Sequence, residues 1–173
     1  MTRTRDVATQ GGLVLLSATT IGSAVSSVIV SNAFNATYEN YFIMVSNVAA
    51  TVGPDNHAIQ LRTGSTTATT GYYYVLPYHT YGGTASAAAS SNTSSWASTG
   101  RGLGNGEKFG FSFHLYQPFL ANKTTINSDG PIGTDLVSGG FGGYHNSATS
   151  YESFVMSGSG TYTGGTIKVY GYK

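Results

Sequence analysis

Seven carboxylates, Asp6, Glu39, Asp55, Glu107, Asp129, Asp135 and Glu152, are the groups from which acid–base chemistry would have to be drawn. No two are close in sequence, so a general acid and its partner, Glu107 with Asp135 for instance, must be brought together by folding. The four histidines, His57, His79, His114 and His145, show no HxxxH spacing and no nearby carboxylate cluster of the kind that holds a metal. Asp55-Asn56-His57 follows Gly53-Pro54 and reads as a turn capped by Asx side chains. There is no cysteine, which removes disulfides, thiolate metal sites and thiol catalysis. No serine sits in a GxSxG elbow. Gly102–Gly106, GLGNG, lacks the Lys-Ser/Thr and the following helix that a phosphate loop needs, and Asn105-Gly106 reads instead as a tight hairpin turn. The expectation is a chain that is not an enzyme, with no catalytic residue, no cofactor and no metal.

Aromatic side chains carry the stronger signal. Residues 71–83 read GYYYVLPYHTYGG and hold Tyr72, Tyr73, Tyr74, Tyr78 and Tyr81 without a charge. In a strand Tyr72 and Tyr74 share one face and Tyr73 takes the other, so one core cannot hide them all. Trp96 is alone in a stretch of small residues, TASAAASSNTSSWASTG at 84–100, which reads as a loop. Exposed rings stack on the C–H faces of sugars, and tyrosine also suits protein interfaces because it orders at low entropic cost. Tyr72, Tyr74, Tyr78, Tyr81 and Trp96 are therefore the candidate contacts. Two readings stay open for them: a glycan or receptor surface, and a subunit seam or core.

Charge limits what such a surface could meet. Charged residues make up 9% of the chain, against about 25% in an average globular protein. The net charge is +1 and the eight Lys and Arg are scattered, which argues against a nucleic-acid partner. So few charges protect a monomer poorly near its pI of 7.9, and favour burial of surface against other copies. Residues 11–30, GGLVLLSATTIGSAVSSVIV, are uncharged, but the run LVLL is short and Ser, Thr and Gly dilute the rest. The β-branched residues favour strands over a signal or membrane helix. No membrane insertion is expected.

The elements that must position these residues show period-2 alternation. Tyr41, Ile43 and Val45 share a face, as do Ile59 and Leu61, and Ile167 and Val169. In Lys108–Tyr116, Phe109, Phe111, Phe113 and Leu115 face one way while Lys108, Ser112, His114 and Tyr116 face the other. Asp129-Gly130-Pro131 and several Gly-Gly pairs punctuate the runs. Eight to ten short strands at this spacing predict an all-β antiparallel β-sandwich of jelly-roll type, with a barrel as competitor. Residues 1–10, MTRTRDVATQ, read as a short N-terminal arm, and 11–173 as a single domain.

The opening RTRDVATQGGLVLLSATTIGSAVSSVIVSNAF, the Tyr-Glu-Asn-Tyr at 38–41 and the ending TGGTIKVYGYK resemble small jelly-roll virion proteins of tailed bacteriophages, tail-fibre and appendage domains among them. The similarity runs from about Arg3 to Asp55 and over Thr161–Lys173. It implies a viral structural protein on the exterior of the particle, non-enzymatic and homotrimeric. Its arm, with Arg3, Arg5 and Asp6, would dock on other virion proteins. A tail fibre or receptor-binding appendage, with a host surface glycan as partner, and a capsid decoration protein are both compatible with the resemblance. A carbohydrate-binding module or glycan hydrolase is the alternative from another class.

Overall fold

A computed structural model describes residues 12–52, 56–101, 106–128 and 136–173. The arm residues Arg3, Arg5 and Asp6, the carboxylates Asp55, Asp129 and Asp135, and the turn at 129–131 lie outside the described residues. Among the described residues there are 14 strands and no helix. In chain order they are β1 (Leu13–Thr20), β2 (Val25–Val30), β3 (Asn40–Ala50), β4 (Asn56–Thr63), β5 (Thr66–Thr67), β6 (Tyr72–Thr80) and β7 (Ala85–Thr93). There follow β8 (Trp96–Arg101), β9 (Lys108–Tyr116), β10 (Thr125–Ser128), β11 (Leu136–Gly139), β12 (Phe141–His145), β13 (Ser153–Thr163) and β14 (Thr166–Tyr172). The count exceeds the eight to ten expected because short pairings such as β5, and the break between β11 and β12, have no hydrophobic alternation to announce them.

Every pairing is antiparallel, and the sheet curls over itself into a β-sandwich of jelly-roll type. The wide layer runs β1-β14-β3-β9-β10-β12-β6-β7, with β11 carrying on along β6 beyond β12. The narrow layer runs β2-β13-β4-β8, with β5 on the far end of β4. One strand joins the layers: Ser153–Ser157 of β13 pair with β4, while Tyr162 and Thr163 reach Ala50 and Ala49 of β3. The Asn105-Gly106 hairpin expectation does not survive this topology. Strand β8 pairs with β4 and β9 pairs with β3 and β10, so β8 and β9 are not partners in a hairpin, and Asn105 lies outside the described residues.

Alternation sets the core. Tyr41, Ile43 and Val45 of β3, Ile59 and Leu61 of β4, Phe113 and Leu115 of β9, and Ile167 and Val169 of β14 are buried, as their spacing predicts. A bulge between Val45 and Val48, with Asn47 in the left-handed region at φ 59°, keeps Val48 and Ala50 inward after the register shifts. Phe113 meets Phe154 edge-on at 6.0 Å and so ties the wide layer to the narrow one. His57 corrects the turn reading. It lies within β4, fully buried, with its ring stacked 4.4 Å from Phe109 and its Nδ1 3.0 Å from the Tyr162 hydroxyl. The segment at 84–100 is likewise not a loop. Its small side chains stay exposed while its backbone pairs with β6, and it then turns into β8 at Trp96.

Candidate binding face

Strands β6 and β12 position the aromatic residues. Their register sets Tyr72 against His145, Tyr73 against Tyr144 and Tyr74 against Gly143. Side chains alternate across a strand, so Tyr72 and His145 face inward together and Tyr73 and Tyr144 face outward together.

The inward set is a closed polar network inside the core. The Tyr72 hydroxyl accepts from the Leu61 N–H at 2.8 Å and donates to the Ala68 carbonyl at 3.1 Å. Leu61 lies on the edge of β4 between the stretches paired with β5 and β8, so the phenol takes the place of a missing ladder partner. Burial pushes the Tyr72 hydroxyl far above the usual phenol range, outweighing the Leu61 hydrogen bond. His145 Nε2 donates to the Thr70 carbonyl at 2.9 Å. Its Nδ1 accepts from the Ser147 N–H at 3.4 Å and faces the Tyr151 hydroxyl at 3.3 Å. This pattern needs the neutral ring, and burial lowers the imidazole pKa against the opposing pull of Thr70. Trp96 meets Tyr72 edge-on at 5.0 Å, and its Nε1 donates to the Tyr144 carbonyl at 3.3 Å.

For two of the five candidate contacts the core reading holds and the contact reading is corrected. Tyr72 and Trp96 are fully buried and belong to the core, so they touch neither a glycan nor another subunit. The reason is register: the β6–β12 pairing turns Tyr72 inward, and Trp96 lies beneath Gly143, which offers it a surface without a side chain. Tyr74 and Tyr78 are half-buried against the core, Tyr74 stacked 5.3 Å from Phe141. Tyr81, in the turn between β6 and β7, is 67% exposed and is the one of the five on open surface.

The outer face of the wide layer holds aromatic residues outside that set. Tyr73 and Tyr144 stack with centroids 4.8 Å apart and planes 2° from parallel, and Lys123 Nζ lies 5.7 Å from the Tyr144 centroid. Toward β1 the rings continue. His114 is 5.0 Å from Phe42, which is 6.1 Å from Tyr170, and the Tyr172 hydroxyl is 2.7 Å from His114 Nδ1. Leu13 (47%), Leu15 (53%) and Met44 (38%) expose apolar surface beside them. At the Tyr73–Tyr144 stack, Tyr73, Val75, Ser90, Thr125, Gly142 and Tyr144 line an open cavity of about 430 Å3. The sequence signal for Tyr73 was its opposition to Tyr72. For Tyr144 there was none, since FGGYH gives no hint of which face is inside.

Glu39 and Glu107 do not form a catalytic pair. Asn40 pairs with Tyr116 and Ala49 with Lys108, so Glu39 and Glu107 lie at opposite ends of the β3–β9 pair, roughly 30 Å apart at strand rise. Retaining or inverting glycosidases need about 5–9.5 Å. Glu152 accepts from the Gly64 N–H. Among the described residues, no group of three or more His, Cys, Asp or Glu gathers in metal-binding geometry. No helix of the described residues is long and apolar enough to cross a membrane, and residues 13–20 and 25–30 are strands.

No family of known proteins matches this sequence, and no curated protein matches it. Solved structures of similar shape include a fructosyltransferase from A. japonicus, 8% identical with a TM-score of 0.37, matched over 95% of this chain and 26% of its own. This chain thus spans about a quarter of that enzyme's length. Others are a functionally unknown protein from Saccharomyces cerevisiae (10% identity, TM-score 0.27, 94% and 93% covered) and an alginate lyase from Alteromonas sp.272 (14%, 0.21, 85% and 87%). Similarity at this level carries no inference about activity.

Proposed function

We propose that this chain is a non-enzymatic structural protein of a tailed-bacteriophage virion, working as a homotrimeric tail-fibre or receptor-binding appendage on the particle's exterior. The observation that carries the reading is the outer face of the wide layer. There Leu13, Leu15, Phe42, Met44, Tyr170 and Tyr172 form apolar and aromatic surface around the side chains of Lys168 and His114. A surface of this kind is better suited to holding copies and partners than to turning over a substrate. The resemblance of residues from about Arg3 to Asp55 and of Thr161–Lys173 to small jelly-roll virion proteins supports the same reading. Residues 1–10 would attach the appendage to other virion proteins.

Imaging of intact particles carrying a label on this chain tests the assignment. Label at the tail is the expected result, and label confined to the head would replace the appendage with a capsid decoration protein. For the assembly, light scattering on the purified chain should give three times the monomer mass. Leu15→Arg should lower that mass, because an unpaired charge within an apolar seam is costly to bury. A monomer in the parent protein would end the trimer reading.

A further inference from the structure

The cavity on the outer face has a shape that the two strands beneath it explain. Tyr73 on β6 and Tyr144 on β12 stack at 4.8 Å, the spacing of neighbouring strands, so their rings are ranked along the direction that crosses the sheet. Tyr144 is then covered on one side by Tyr73 and approached by Lys123. On the β7 side of Tyr73 the register shifts between Tyr72–Thr93 and Tyr74–Ser90, which sets Ser91 and Asn92 across from it, while the short Ala89 pairs with Val75 and Ser90 borders the cavity. One strand position further along, Val75 is 49% exposed and pairs with Gly142. A Cβ placed on Gly142 would meet nothing within 4 Å. The missing side chain is what opens the floor of the cavity.

We propose that this cavity is a saccharide subsite that takes one pyranose unit of an uncharged glycan, its C–H face against the free face of Tyr73. Size fits, since small-ligand sites fall at about 300–1,000 Å3. Chemistry fits as well. A flat ring face and Val75 supply the apolar surface that sugar C–H groups seek, while Thr125 and the hydroxyls of Tyr73 and Tyr144, on the same outer face, are the polar groups available to its hydroxyls. The residues that line the cavity are uncharged, which suits a neutral ligand. The subsite deepens the appendage reading by giving its outer face a ligand class, but the two fail separately. A particle-imaging result does not touch sugar binding, and a sugar titration does not touch location.

Saturation transfer from the full chain to maltohexaose, cellohexaose and chitohexaose, with hexagalacturonate as the charged counterpart, tests it. Transfer to ring protons of at least one neutral hexasaccharide, with a Kd of about 1 mM, is the expected result. Gly142→Leu should abolish the transfer, Tyr73→Ala should weaken binding by about tenfold or more, and Ile29→Ala, at an exposed position of β2 in the narrow layer, should leave it unchanged. A melting curve accompanies each variant. If Gly142→Leu disturbs the sheet, the Tyr73→Ala titration decides alone. No transfer to any neutral hexasaccharide at about 10 mM, transfer to hexagalacturonate only, or binding that survives Tyr73→Ala would each overturn the proposal.

Discussion

Tyr72 and Tyr73 are adjacent in sequence, as are Tyr144 and His145, yet each pair is split between two different environments. On the inner side, Tyr72, His145 and Trp96 bury every polar atom against a named partner, and each ring is fixed by at least one hydrogen bond. On the outer side, Tyr73 and Tyr144 are fixed mainly by stacking on each other, with one long cation contact from Lys123. The difference teaches that the same residue types on the same strands stabilise the fold on one face and leave usable surface on the other. What separates them is whether a second layer stands opposite. Gly143 sharpens the contrast. Its Cβ would come within 2.5 Å of the Tyr73 carbonyl oxygen and 3.1 Å of Trp96 Nε1, whereas one on Gly142 would stand in open space.

Substitutions should separate the two faces by size of effect. Trp96→Ala is expected to cost about 3–5 kcal/mol, because it removes the largest fully buried side chain and leaves a cavity. Tyr144→Ala, on the exposed side of the same contact, should cost under about 1.5 kcal/mol in a urea titration. Comparable losses would mean that the outer stack supports the fold as much as the core does.

Gly143→Ala should cost about 1–3 kcal/mol, since its methyl group meets backbone and must push β6 or Trp96 aside. Gly142→Ala should stay within about 0.5 kcal/mol of the parent in the same denaturation experiment. The phenol hydroxyls follow. Tyr72→Phe leaves the Leu61 N–H and the Ala68 carbonyl without their buried partner, for about 1–3 kcal/mol. Tyr73→Phe should change the melting temperature little.

The mildest effect is set by pH. The native fold holds His145 neutral to a lower pH than the unfolded chain, whose imidazole takes up its proton near the ordinary value of about 6.5. Below that value the unfolded chain binds more protons than the folded one. The contribution of His145 is therefore complete above about pH 6.5 and is lost as pH falls through the native pKa. A melting temperature that declines on acidification, with a shallower decline in His145→Gln, is the expected pair of curves. Equal slopes would assign the acid sensitivity to another group.

Legibility of this molecule followed the strength of its alternation. The phenylalanine strand, β3 and the closing strand were readable because Phe, Ile, Val and Leu at every second position leave one choice of inner face. Strand β7 was not, since ASAAASSNT has no apolar face and is held by its pairing to β6. Trp96 was misplaced for the same reason: its small neighbours looked like a loop, and nothing local announces that Gly143 comes to lie over its indole. His57 was taken for a turn residue because Gly53-Pro54 precedes it, while the stack on Phe109 that draws it inside comes from a strand about fifty residues away.

Composition and period by themselves determined an all-β antiparallel sandwich, poor in charge, rich in aromatic rings and without a local catalytic or metal motif. Those properties depend on side-chain type and on spacing of a few residues, both of which are printed in the chain. Which tyrosines are core and which are surface was decided only by tertiary structure. That choice depends on the register between β6 and β12, whose paired residues are about seventy positions apart, and on which side of the wide layer the narrow one covers. A strand of tyrosines and glycines is nearly symmetric in hydrophobicity, so either face could have been buried until the partner layer chose one.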